Sequence, residues 1–293
     1  VTTFLGKAIR NTVLLGTFLG GMLFVAQQAV AAVEVFVSIP PQKWLSDKIG
    51  GEHITTGVLI QKGQDPHTFE PTPRQVMALT RAQLYFTVGM EFENQIIEKL
   101  RQSSMEQKIV DSTAGIQRIA LVKHDHNHNH TGFDPHVWLS PVNLKTMAAR
   151  MTSALIGIDP ENSSDYKVNL DKLNRELDAL DSDIASQLQA YAGATFFVFH
   201  PSFGYFAKRY DLHQEAVEVE GKSPTPKQLA NLIAEAKADK VKVIFVQPQF
   251  DPRSGQAIAR AIGGEVVPLD ALAEDVTGNL KTIAAKISAA LAQ

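Results

Sequence analysis

The chain has 293 residues, with 28 Lys and Arg against 31 Asp and Glu, a formal net charge of -3, and no cysteine. That balance lacks the basic surplus of a nucleic-acid binder, and the missing cysteine excludes disulfides, thiolate metal sites and thiol catalysis. It also argues against a lipid-anchored lipoprotein, which needs a cysteine directly after its signal.

Residues 1–32 read as a cleaved secretory signal. Lys7 and Arg10 are the only charges before Glu34, an apolar run follows from Val13 to Val25, and the segment ends in Ala29-Val30-Ala31-Ala32. A basic start, a short apolar stretch and small residues at the end define such a signal. The run falls short of the ~20 apolar residues that a spanning helix needs. Cleavage is expected after Ala31 or Ala32, and the product is expected free in a bacterial periplasm.

About 260 residues remain, enough for one large domain or two small ones. Val33–Ile39 reads as a β-branched strand, ended by Pro40-Pro41, and Gln42–Ile49 as a helix stopped by Gly50-Gly51. Ile54–Ile60 is a second strand, Arg74–Arg81 a short helix capped by Thr72-Pro73, and Leu84–Val88 a third strand. Residues 160–191 differ. Leu170, Leu173, Leu177, Leu180, Ile184, Leu188 and Tyr191 recur at spacings of three and four among charged residues, which predicts one long amphipathic helix ended by Gly193. Alternation then resumes. The pattern predicts strands at Thr195–Phe199, Val241–Val246 and Glu265–Leu269, and helices at Pro226–Ala238, Ser254–Ile262 and Leu280–Leu291. Alternating strands and helices imply parallel sheets covered by helices. The expected architecture is therefore an N-terminal α/β lobe (33–158), a long linker helix (159–192) and a C-terminal α/β lobe (193–293), with a cleft between the lobes.

The chain has nine histidines. His124, His126, His128 and His130 alternate with Asp and Asn in an all-polar stretch that cannot build a core, a composition suited to loose metal binding in a loop. His67 and His136 each end an Asp-Pro-His fragment, and His200 directly follows the strand ending at Phe199. In α/β sheets, ligands bind beyond the carboxyl ends of strands, and Asp270 occupies the same kind of position after Leu269. Neutral imidazole is a good zinc ligand, and a carboxylate completes a tetrahedral set while lowering the charge of the site. Proline before the ligand restricts the backbone and reduces the entropy lost on binding. His53 and His213 have no such setting and read as ordinary surface or structural residues.

With these residues in view, the mature chain resembles the metal-specific solute-binding proteins of ABC importers, in the branch that carries zinc and manganese. The resemblance rests on Asp65-Pro66-His67-x-Phe69-Glu70-Pro71-x-Pro73, on Asp134-Pro135-His136-x-Trp138-x-Ser140-Pro141, and on the segments Phe199–Tyr210, Phe245–Phe250 and Pro268-Leu269-Asp270. It implies two similar lobes, a rigid linking helix and a metal at the interface. It places the ligands on His67, His136, His200 and Asp270, with the His-rich loop just before the second, and leaves open whether Asp270 or a water is the fourth. Glu70 is a further acidic residue near the first ligand. Some zinc-type relatives carry a disulfide in the second lobe, which this chain lacks. In manganese-type relatives the place of His200 often holds a carboxylate, so a third imidazole here favours zinc, since manganese prefers oxygen ligands.

The expected function is capture of Zn2+ as a transported ligand by a monomer that delivers it to an importer permease with its ATPase. A manganese-binding protein of the same family is the first alternative. A periplasmic zinc hydrolase is another, against which stand the absence of His-Glu-x-x-His and of a clear general base beside a ligand. An adhesin or metal buffer is the last.

Overall fold

A computed structural model of the protein describes residues 32–102, 109–120, 132–218, 225–250 and 252–293. The signal segment up to Ala31 and the loop histidines 124, 126, 128 and 130 lie outside the described residues.

The first lobe alternates strand and helix: β1 (Val33–Val37), α1 (Pro40–Gly50), β2 (Ile54–Val58), α2 (Pro73–Arg81), β3 (Leu84–Thr87), α3 (Glu93–Gln102) and β4 (Ile109–Asp111). Its four strands lie parallel in the order β2-β1-β3-β4, with Val35 opposite both Thr56 and Leu84. A three-residue turn at Val137–Leu139 leads into α4 (Pro141–Ile158), and then α5 (Ser163–Leu188). The second lobe repeats the plan with β5 (Thr195–Val198), α6 (Gly204–Arg209), β6 (His213–Ala216), α7 (Pro226–Ala238), β7 (Val243–Val246), α8 (Pro252–Ile262), β8 (Glu265–Pro268) and α9 (Val276–Leu291). Its sheet is again fully parallel, in the order β6-β5-β7-β8. In each sheet the chain runs from the first strand to one neighbour and then crosses to the other side, which makes the carboxyl ends of β1 and β5 switch points where a crevice opens.

Helix α5 joins the lobes. Tyr166, Leu173, Leu177, Leu180, Ile184 and Leu188 are its buried residues. That stripe packs on α1 and α4 of the first lobe and on α9 of the second, so one apolar face serves both cores. The 26 α-helical residues span ~39 Å at ~1.5 Å each. The expected helix over 160–191 is tightened at both ends into 3-10 turns, Pro160–Asn162 and Gln189–Tyr191, and Gly193 takes up the left-handed backbone (φ 78°) that closes it.

Three of the remaining departures have local causes. Strand β4 has three residues, and β6 (His-Gln-Glu-Ala) has no β-branched residue, so neither stands out as a pattern. Helix α9 starts at Val276 instead of Leu280 because Asp275 caps it, accepting from Gly278 N at 3.1 Å. No helix among the described residues is long and apolar enough to cross a membrane.

Candidate metal centre

His67, His136 and His200 converge. His67 sits in the loop between β2 and α2, His136 at the turn before α4, and His200 two residues past β5. Their ring centroids lie 5.9 Å (67–136), 4.6 Å (67–200) and 5.3 Å (136–200) apart. One nitrogen from each ring lies within 4.8 Å of the others, and they form the only such group of potential ligands among the described residues. Two of the rings come from the first lobe and one from the second.

Both Asp-Pro-His fragments use the same local device. Asp65 Oδ1 accepts the His67 backbone N–H at 2.9 Å, and Asp134 Oδ1 accepts the His136 N–H at 2.9 Å. Proline between them has no N–H to compete, so the aspartate reaches over it to the residue that matters. Proline restricts the backbone before the ring, but the aspartate closes the turn. Asp134 goes further, because its Oδ1 also lies 2.7 Å from His136 Nδ1.

His200 is held on every side. Gln247 accepts its backbone N–H (3.2 Å) and donates to its carbonyl (2.6 Å). Phe250 stacks on the ring at 4.8 Å between centroids, 21° from parallel. Glu218 Oε2 lies 2.5 Å from His200 Nδ1. A carboxylate is an acceptor only, so Nδ1 carries the proton in both carboxylate–imidazole pairs and Nε2 keeps its lone pair. In His200 that Nε2 is buried without a partner. An orphaned buried polar atom of this kind calls for an explanation, and a cation bound by the three rings supplies one.

His136 and His200 are each 6% exposed, Asp134 3% and Glu218 9%, whereas His67 is exposed. His67 nevertheless lines the crowded cleft, where desolvation lowers its proton affinity and the neighbouring His200 lowers it further. His200 is lowered chiefly by burial, against the pull of Glu218. Both shifts favour neutral imidazole, the form that binds metal.

Asp270 is not drawn into the three-histidine group. Its Oδ1 accepts from Gln249 Nε2 and from the Leu272 N–H, both at 2.9 Å. Glu70 is exposed and also outside the group, His213 lies exposed on β6, and His53 pairs with Asp165 at 2.9 Å beside Tyr166. Sequence reasoning missed Glu218, Gln247 and the ring contact of Asp134. Glu218 stands 18 residues beyond His200, and only the parallel pairing of β5 with β6 brings it near.

The lobes meet around this point. Trp138 Nε1 donates to Ala271 O at 2.6 Å, and Tyr205 OH donates to Asp134 O while accepting the Ile119 N–H, both at 3.0 Å. Asp134 also presses on the start of α6, where a Cβ added at Gly204 would fall 2.6 Å from its Oδ2. The space left, lined by the three histidines with Trp138, Gln249 and Phe250, is only ≈ 20 Å³. That is about the room of one water, enough for an ion and too little for an organic solute.

Two parallel α/β lobes on a spanning helix, closing on three imidazoles, define a solute-binding protein whose solute is a metal ion. The family model described as ZnuA, zinc-uptake complex component A, periplasmic, matches residues 35–291. A putative metal-binding protein of Chlamydia muridarum is 31% identical over 252 residues, 86% of this chain and 89% of the relative. A crystal structure of ZnuA is 39% identical with a TM-score of 0.83, covering 88% of this chain and 99% of the solved one. A ZnuA deletion mutant with zinc bound is likewise 39% identical, with a TM-score of 0.82, covering 88% and 98%. The chain belongs to the ZnuA family, whose members work with an ABC importer and are not enzymes.

Proposed function

We propose that the chain is a high-affinity zinc-binding protein that captures Zn2+ through Nε2 of His200 together with His67 and His136, and delivers it to the permease and ATPase of an ABC importer. The observation that carries the reading is the convergence of three ring nitrogens, from two lobes, on a space of ionic size. Three nitrogens favour a borderline ion such as zinc over the harder manganese. Asp270 or a water completes the tetrahedron. The loop histidines 124, 126, 128 and 130 are weaker collecting sites. The same reading takes residues 1–32 as a signal removed on export, and the mature protein as a periplasmic monomer divided at 33–158, 159–192 and 193–293.

Competition against a chromophoric chelator tests the site. One tight zinc per chain is expected, lost in His200→Ala and His136→Ala, with zinc displacing manganese fully. A wild-type protein that binds zinc no better than either variant refutes the assignment. Zinc-dependent stimulation of the ATPase of a reconstituted importer tests delivery.

A further inference from the structure

We infer that Glu218 is a positioning and specificity-determining residue of the metal site, acting on the ion through His200. This rests on the zinc-binding reading above.

Three observations converge on it. Glu218 is buried, and its Oε2 reaches His200 Nδ1 at 2.5 Å. His200 Nε2, on the opposite side of the ring, is buried and without a partner. The rest of the ring is already held by Phe250 and the backbone by Gln247. Glu218 therefore decides what remains undecided, namely which nitrogen carries the proton. By accepting from Nδ1 it holds the tautomer whose lone pair points at the ion.

Charge gives a second role. The site offers three uncharged rings to a dication in a space of ≈ 20 Å³. The two buried carboxylates behind the rings, Asp134 on His136 and Glu218 on His200, counter that charge without touching the ion. They sit on different lobes, one from each side of α5. A carboxylate behind an imidazole also strengthens the ring as a donor. An ion that depends on nitrogen donors gains more from this than one that prefers oxygen. Glu218 thereby biases the site toward zinc over manganese. It also commits position 200 to an imidazole, because a carboxylate there would face Glu218 with no proton between them.

The test uses Glu218→Gln and Glu218→Ala in the full mature chain. Zinc and manganese affinities are measured by chelator competition, and the His200 tautomer by ring 15N shifts of the metal-free protein, assigned with His200→Ala. Gln keeps an acceptor for Nδ1–H and loses the charge, so the tautomer should persist while zinc affinity falls at or below the low end of the usual ~10–100-fold effect. Ala should lose about 10–100-fold for zinc, a smaller factor for manganese, and the Nδ1–H tautomer. A purely structural defect would weaken both ions alike. If the Ala variant folds poorly, the isosteric Gln variant decides through the zinc-to-manganese ratio. An unchanged tautomer in Glu218→Ala, or an unchanged ratio in both variants, overturns the inference. Failure of the wild-type chain to bind zinc tightly would instead sink the functional reading on which it stands.

Discussion

Zinc should raise the thermal stability of the protein by tying its lobes together, and the two kinds of ligand should contribute unequally. His67 and His136 belong to the first lobe and His200 to the second. A ligand that binds only the native state stabilises it by RT ln(1 + [L]/Kd), which is ~4.1 kcal/mol at a thousandfold excess over Kd. For a chain of this size each kcal/mol moves the melting temperature by ~2–4 °C, so the expected rise is about 8–16 °C. His67→Ala leaves one imidazole on each lobe, so the bridge is weakened but present. His200→Ala leaves both remaining imidazoles on one lobe, and no imidazole of the second lobe to bridge to. Scanning calorimetry of the mature chain, with excess zinc and after chelation, should give a large shift for the wild type, an intermediate shift for His67→Ala and almost none for His200→Ala. A zinc shift in His200→Ala equal to that of His67→Ala refutes the bridging argument, and no shift in the wild type refutes the site.

Acid should release zinc later than the ordinary imidazole value of ~6.5 suggests. The folded His67 and His200 bind protons more weakly than the unfolded chain does, so the metal-free fold is stable above ~6.5 and loses stability as pH falls from there through the lowered folded values; a zinc-release midpoint above 6.5 contradicts this. Deleting residues 124–130 should lower zinc stoichiometry and leave the tightest site intact, because a loop must lose conformational entropy to bind; isothermal titration checks it. Tyr205→Phe should cost about 1–3 kcal/mol in urea melts by stranding the Ile119 N–H and Asp134 carbonyl, and an unchanged midpoint would show that water replaces the hydroxyl. His200→Glu alone should destabilise the fold by setting a carboxylate against Glu218. Pairing it with Glu218→Gln should restore stability and narrow the zinc-to-manganese affinity ratio.

The parts of the fold that could be read in advance are those whose pattern is local. The stripe of Leu173, Leu177, Leu180, Ile184 and Leu188 needs only its own spacing to announce a helix. The strands Thr195–Val198 and Val243–Val246 are continuous apolar runs, as strands buried on both faces must be. Edge strand β6 escaped notice because it lacks such a run, burying partially only Gln214, Glu215 and Ala216.

The metal site divides along the same line. The signals there are local, an Asp-Pro-His fragment at His67 and His136 and the end of an apolar strand just before His200. What surrounds them is set by pairing between strands. Gln247 and Glu218 lie 47 and 18 residues from His200, and each reaches it because β5 is flanked by β7 and β6. The residue types gave no hint, since a glutamate near an edge strand is most often a solvated one. Burial is what changes its meaning: at 9% exposure the carboxylate must have a partner, and the ring nitrogen it meets belongs to a histidine whose other nitrogen has none. The proposed ligands thus stand out in the sequence as histidines in short motifs, whereas the proton placement that would ready them for an ion is written in the sheet order.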